Sequence, residues 1–166
     1  GHKALNINEY SLKNNPKSFV SSKVKAIIFD MDGLLVNSEP CWHLAEKLVF
    51  AKVGMLLSTK MCMETTGKPI KDVIQYWFQR NPWNNPDFAS IETELLAEAS
   101  NAIKATAQLM PGVLATLIWA KSKKMLVGLA SASPIDMIEM VLSKFQLSSY
   151  FDFYHSAELE EFNKPH

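Results

Sequence analysis

The chain has 166 residues, of which 48% are hydrophobic and 20% are charged, an ordinary composition for a globular protein. Seventeen basic residues balance seventeen acidic ones, so no basic excess suggests nucleic acid or a membrane surface as a partner. No apolar run approaches the roughly 18 residues of a transmembrane helix. We expect a cytoplasmic protein whose two cysteines, Cys41 and Cys62, are free thiols.

Residues 1–22 are polar and show little periodicity, which predicts a poorly ordered leader or tag remnant. The stretch VKAIIFDMDGLLVNSEP follows over 24–40. Its first six residues form a nearly continuous apolar run, typical of a strand buried on both faces of a parallel sheet. Asp30 and Asp32 therefore lie at the carboxyl end of a strand, where open α/β sheets bind their ligands.

The aspartate pair predicts a cation site. Residues two apart on a strand share a face, so both carboxylates can point to one spot, where they repel each other without a proton or a cation. Mg²⁺ prefers such oxygen ligands. Gly33 allows a sharp turn and is expected to leave its N–H open to a phosphate oxygen. The alternative is a solvated Asp-x-Asp-Gly turn, which is a common composition.

The next segment is predicted to be all-helical. Leu44, Leu48 and Val49 have the spacing of a helix over 41–53, and Gly67-Lys68-Pro69 opens a second helix. A loop rich in proline and asparagine covers 80–87, and a long apolar-periodic helix follows it. Residues 41–107 thus form one helical unit.

The pattern changes to strand–helix alternation after Met110-Pro111-Gly112. A helix is expected to bury the side chains of Val113, Leu114, Leu117 and Ile118, and Met125–Ala130 is a second buried strand. Ser133 is expected to cap the next helix, with Pro134 at its first position. Phe151–Phe153 reads as a short third strand. The predicted fold is α/β: a Rossmann-like parallel-sheet core, 23–40 and 108–166, with a helical cap, 41–107, inserted after the first strand.

Polar residues follow the later strands as well. Ser131 comes where the second strand meets a helix N-terminus, a place suited to phosphate, although a serine there can be purely structural. Lys164 follows the third strand and could neutralise a phosphate oxygen, although a lone lysine is more often a surface residue. The convergence of Asp-x-Asp, Ser and Lys at one sheet edge favours a phosphate site.

These residues resemble the haloacid dehalogenase superfamily of aspartate-nucleophile phosphatases. DMDGLLVNSEP resembles its first motif, LASAS its second and NKPH its third. Within the superfamily, stretches such as TTGKPIKDVIQYWFQRNPWNNP and LVGLASASPIDMIEMVLSKFQL are similar to the bacterial phosphatases of 2-deoxyglucose 6-phosphate and hexitol phosphates. The resemblance covers about residues 24–166.

The resemblance implies a mechanism and a set of roles. Asp30 would be the nucleophile that forms an aspartyl-phosphate, and Asp32 the general acid and base. Mg²⁺ would be held by the Asp30 carboxylate and the Asp32 carbonyl. Ser131 and the N–H of Ala132 would hold phosphate oxygens, and Lys164 would balance the charge.

In such enzymes the helical insert is a cap that closes over the substrate. Gly67 and Lys68 resemble a cap loop that faces the active site, although they could be a plain helix start. Trp42 stands where related sugar phosphomutases usually carry histidine, which favours a phosphatase, although His43 is adjacent and Trp42 could be a core aromatic. A sugar phosphomutase is thus the alternative activity.

The chain differs from the family pattern at its C-terminal end. The family continues past the Lys-Pro segment with further strands and an acidic fourth motif, so we expect part of the core to be absent from these 166 residues. A truncated, non-catalytic fragment that binds phosphorylated ligands is therefore a third hypothesis. The expected partner is a small phosphorylated sugar or sugar alcohol, with neither nucleic acid nor membrane, and the complete protein is expected to be a monomer.

Overall fold

A computed structural model describes residues 26–157 of the chain. The predicted leader and Lys164 lie outside the described residues. The elements are, in chain order, β1 (Ala26–Asp30), α1 (Glu39–Ala51), α2 (Thr59–Glu64), α3 (Ile70–Arg80), α4 (Phe88–Thr106), α5 (Val113–Ser122), β2 (Leu126–Ser131), α6 (Ile135–Lys144), a 3₁₀ turn (Ser148–Tyr150) and β3 (Phe153–Ser156).

The described strands form one parallel sheet in the order β1-β2-β3. Asp30 pairs in register with Ala130, and Ser131 pairs with Ser156. This register brings the carboxyl ends of the strands to a single edge. The predicted α/β fold, a parallel sheet with a helical segment inserted after the first strand, is confirmed.

The core around the sheet is built on alternating strand residues. Ile27 and Phe29 of β1 and Val127 and Leu129 of β2 are buried, and the Phe29 ring meets Phe151 edge-on at 6.1 Å. The other side of β1 is only half-buried among the described residues, so the expectation of a strand covered on both faces is met on one face.

The predicted face of α5 is half wrong. Leu117 is fully buried, but Leu114 and Ile118 are 45% and 51% exposed. The helix VLATLIWAKS is apolar on nearly all sides, so its sequence does not mark one face. Only packing on the sheet selects the buried one, which holds Val113, Leu117 and Ala120.

The third strand begins two residues later than predicted. Phe151 follows the 3₁₀ turn, and β3 starts at Phe153. Asp152 explains the shift, because its carboxylate accepts the Val127 N–H at 2.8 Å and pairs with Lys121 at 2.7 Å. These bonds fasten the chain beside β2 before the strand pairing begins.

The described residues form two compact units, one of Ser38–Gln108 and the other of 26–37 with 109–157. The first unit contains α1 to α4, and α1 packs along α4. Helix α1 buries Ala45, Val49 and Phe50, whereas Leu44 and Leu48, whose spacing predicts the helix, are about half exposed. None of the helices among residues 26–157 is long and apolar enough to cross a membrane.

Candidate functional site

The loop after β1 is a compact turn that carries both aspartates. Asp30 is the last residue of β1 and is half-buried, and Met31 behind it is fully buried. The Met31 carbonyl accepts the N–H groups of Leu35 and Val36 at 3.0 and 3.1 Å. The apolar stretch after the aspartates therefore folds back and fixes the backbone of Asp32.

Gly33 makes the turn but does not offer its N–H to a ligand. Its φ of 79° lies in the left-handed region that favours glycine. Its N–H donates to the Val36 carbonyl at 2.9 Å. The prediction that this N–H is open to an anion is therefore wrong, because the same turn that requires glycine also uses its donor.

Two serines converge on the Asp32 carboxylate. The Ser131 hydroxyl, at the end of β2, lies 3.4 Å from Asp32 Oδ2, and the Ser133 hydroxyl donates to the same oxygen at 3.1 Å. Ser133 also donates its backbone N–H to Ser131 Oγ at 3.0 Å. Both serines are buried. The structure thus brings Asp32 and Ser131 together, as the shared sheet edge predicts.

The expected cap role of Ser133 is wrong. Helix α6 begins after Pro134, which is its N-cap residue and makes no side-chain capping hydrogen bond. The Ser133 hydroxyl donates to Asp32 instead. The Ser133 backbone carbonyl accepts a hydrogen bond from the hydroxyl of the fully buried Ser156 at 2.7 Å. Sequence reasoning missed Ser133 and Ser156 as site residues. The alternation Ser131, Ser133 and the place of Ser156 at the end of β3 were the available signals.

The remaining core candidates are placed as follows. Asp30 of β1 pairs with Ala130 of β2 in the sheet register, and Ala130 immediately precedes Ser131. Ala132 is exposed, between the two buried serines. The third predicted motif, with Lys164, falls outside the described residues.

A divalent cation fits the donor chemistry of this edge. Asp30 and Asp32 supply carboxylate oxygens, the ligand type of Mg²⁺. Within residues 26–157 no group of three or more His, Cys, Asp or Glu side chains could hold a metal ion. Among residues 26–157, Asp30 and Asp32 are thus the two residues that would hold such an ion, and backbone carbonyl and water oxygens are further ligands of the kind Mg²⁺ takes.

The cap candidates belong to the helical unit. Trp42 lies half-buried in the first turn of α1. Gly67 has a φ of 87° and forms the turn before α3. Lys68 is exposed, and its ammonium lies 5.5 Å from the centre of the Tyr76 ring. Lys68 thus extends along α3, which is compatible with a surface lysine as well as with a ligand contact.

A second buried carboxylate lies in the helical unit. Glu46 of α1 is 6% exposed, and the Thr65 hydroxyl donates to its Oε1 at 3.4 Å. Burial raises the pKa of Glu46 to about 7, and the hydrogen bond from Thr65 opposes that rise. One turn earlier His43 bonds the Thr66 hydroxyl at 3.1 Å. These two contacts fasten the segment before Gly67 to α1.

The two cysteines are free, as predicted, and both are buried. Burial, followed by the charge of Glu46, raises the pKa of the Cys62 thiol to about 11. A thiol with that pKa stays protonated near neutral pH, so Cys62 has little thiolate for nucleophilic chemistry.

Comparison with known proteins adds to this geometry. Residues 27–166 match the family described as haloacid dehalogenase-like hydrolase. Hexitol phosphatase B of Escherichia coli K12 is 41% identical over 145 residues, which make up 87% of this chain and 65% of that protein. A fructose-1-phosphate phosphatase of the same organism is 26% identical over 144 residues, 84% of this chain and 72% of that protein.

The fold has close structural counterparts. The crystal structure of CbbY from Rhodobacter sphaeroides, in complex with phosphate, matches with a TM-score of 0.70 at 21% identity, covering 80% of this chain and 63% of that one. At 21% identity this structural similarity supports a shared fold and nothing more. The match of the family over 27–166, which includes both the aspartate turn and the serine pair, shows that the chain belongs to the haloacid dehalogenase-like hydrolases.

Proposed function

We propose that the full-length protein, meaning these residues with any that adjoin them, is a Mg²⁺-dependent phosphatase of small sugar phosphates. The observation that carries the proposal is the Asp32 carboxylate, which two buried serine hydroxyls approach at the edge where Asp30 ends β1. The 41% identity to a hexitol phosphatase favours hexitol phosphates as substrates. The family resemblance of the sequence adds 2-deoxyglucose 6-phosphate as the second candidate.

The first step forms an aspartyl-phosphate. A carboxylate oxygen of Asp30 attacks phosphorus, and the bond from phosphorus to the sugar oxygen breaks with its electron pair on that oxygen. Protonated Asp32 gives its proton to the departing oxygen, which leaves as the free sugar alcohol. An alkoxide is a poor leaving group, so this proton transfer lowers the barrier.

The second step restores the enzyme. Asp32, now a carboxylate, takes a proton from water while the water oxygen attacks phosphorus. The bond from phosphorus to Asp30 breaks, and inorganic phosphate leaves. Asp32 ends protonated and Asp30 ends as a carboxylate, so the protons balance over the cycle.

The other groups bind and neutralise the phosphoryl oxygens. Ser131 donates its hydroxyl and Ala132 its N–H, and Lys164 balances negative charge. The Asp30 carboxylate and the Asp32 carbonyl would hold Mg²⁺, which would supply further charge neutralisation. Gly33 serves through the turn that aims the aspartates, since its N–H is used within that turn.

Substrate choice is assigned to the helical unit, 41–107, acting as a cap. The core groups meet the phosphate and its metal, which every phosphate monoester shares, so they cannot distinguish sugars. Trp42, Gly67 and Lys68 are the proposed contacts to the sugar.

The test is phosphate release by the full-length protein from a hexitol phosphate and from 2-deoxyglucose 6-phosphate, with Mg²⁺ and with excess EDTA. We expect hydrolysis to inorganic phosphate and the free hexitol or 2-deoxyglucose, lost with EDTA and restored by added Mg²⁺. Undiminished hydrolysis in EDTA would contradict the metal requirement. Transfer of the phosphoryl group to another position of the sugar, with no release, would show a phosphomutase instead.

A further inference from the structure

Ser133 is a buried serine whose hydroxyl is directed at the proposed acid and base. Its Oγ donates to Asp32 Oδ2 at 3.1 Å, across 101 positions of sequence. A serine just before a helix that opens with proline would ordinarily cap that helix. The N-cap residue of α6 is instead Pro134, which makes no side-chain capping hydrogen bond. The Ser133 hydroxyl therefore serves Asp32 and not the helix.

Ser133 is itself fixed by its backbone. Its N–H donates to Ser131 Oγ at 3.0 Å, and its carbonyl accepts the Ser156 hydroxyl at 2.7 Å. Ser156 is fully buried at the end of β3. A donor whose backbone is held on both sides keeps its hydroxyl within reach of the group that it contacts, which helps to preorganise that group.

We propose that Ser133 is a positioning residue for Asp32 in the phosphatase reaction, an inference that rests on the function proposed above. The Ser133 hydroxyl donates to Oδ2, so we assign the proton that Asp32 transfers in this reaction to its other oxygen, Oδ1. In the first step that proton goes from Oδ1 to the sugar oxygen as its bond to phosphorus breaks. In the second step Oδ1 takes a proton from water.

A positioning role can be separated from a merely structural one by the leaving group. A sugar alkoxide needs the proton of Asp32 when it leaves, whereas 4-nitrophenolate is stable as an anion and needs it little. The ratio kcat/KM reports the steps up to the first departure of the leaving group. Loss of Asp32 positioning therefore lowers kcat/KM for a sugar phosphate more than for 4-nitrophenyl phosphate.

The experiment compares native full-length protein with Ser133→Ala and Ser133→Thr on a hexitol phosphate and on 4-nitrophenyl phosphate. For Ser133→Ala we expect kcat/KM to fall at least about tenfold more for the hexitol phosphate than for 4-nitrophenyl phosphate. This factor is a part of the rate enhancement that a general acid supplies. Ser133→Thr keeps a hydroxyl and should recover most of the difference. Ser122→Ala removes an exposed hydroxyl that bonds the Trp119 carbonyl, and is the control expected to change neither substrate.

Each outcome decides one question. Equal losses on the two substrates in Ser133→Ala would overturn the positioning role, as would no loss on either. Thermal unfolding shows whether Ser133→Thr folds. If it does not, kcat/KM of Ser133→Ala is measured over a series of aryl phosphates with leaving groups of different pKa. A steeper dependence of kcat/KM on that pKa than in the native protein supports the role, and an unchanged dependence overturns it. If the native protein hydrolyses neither compound, the proposed function falls, and the role of Ser133 with it.

Discussion

The core edge and the helical unit each place a carboxylate beside hydroxyl groups, with different results. Asp32 is half-buried and lies within hydrogen-bonding distance of two serine hydroxyls. Glu46 is almost fully buried, with one long hydrogen bond from Thr65, and its pKa rises to about 7. Burial disfavours the charged form of a carboxyl group unless hydrogen-bond donors of the protein replace the water molecules that it loses. The first arrangement suits proton transfer, whereas the second mainly links stability to pH.

The largest expected effect lies at the core edge. Asp30→Asn should lower kcat for a hexitol phosphate by at least about a thousandfold, because an amide is not an anionic nucleophile. Steady-state kinetics of the full-length protein measure it, with mass spectrometry to exclude deamidation. The matched control is Asp72→Asn on α3, in the first turn of a helix of the other unit. Turnover near the native rate by Asp30→Asn would remove its assignment as nucleophile.

The second effect tests the buried carboxylate of the helical unit. Folding raises the pKa of Glu46 from 4.5 to about 7. Between these two pH values the folded state therefore binds more protons at Glu46 than the unfolded state does. The free energy of unfolding should therefore fall as pH rises from 4.5 to about 7, and stay level above that. Glu46→Gln removes this loss and keeps an acceptor for Thr65. It should stabilise the protein by about 2–3 kcal/mol at pH 8 and by little at pH 5.

Urea unfolding of the native protein and of Glu46→Gln at the two pH values measures this difference. The same change in unfolding free energy at both would show that the carboxylate keeps its charge on folding. A destabilisation at pH 8 would show that the charge of Glu46 is needed by its neighbours.

The third effect concerns the strand register that places Ser156. Gly128 of β2 pairs with Phe153 of β3, and a Cβ at Gly128 would overlap the Phe153 ring. Gly128→Ala should lower the free energy of unfolding by about 1–3 kcal/mol, as overpacking does. The double variant with Phe153→Ala should recover much of that loss, since it removes the ring. Additive losses in denaturant unfolding would contradict the close contact.

The smallest effect concerns substrate choice. Trp42→Ala and Lys68→Ala, made separately in the full-length protein, should each change the preference among 2-deoxyglucose 6-phosphate, a hexitol phosphate and an aryl phosphate. The change in the ratio of kcat/KM values is expected to be about tenfold, the usual worth of one pocket contact. Unchanged ratios in both variants would show that these residues do not set the substrate.

The fold class and the place of the candidate site in the fold follow from the sequence. Continuous apolar runs that end in Asp30 and Ser131 predict parallel strands, and parallel strands bring their carboxyl ends to one edge. Local composition also determines the turn at Gly33, which requires a positive φ. These features depend on neighbours in the chain, so the chain alone specifies them.

Tertiary structure decided which groups the polar atoms meet. The Gly33 N–H bonds Val36, and the Ser133 hydroxyl bonds Asp32 in place of α6. Burial of Glu46, and the exposure of Ile118 on a helix that is apolar all round, depend on what packs against each helix. Partners of this kind lie up to 101 positions away, and a hydrogen bond or a buried face is fixed by distance in space, which the order of residues does not specify.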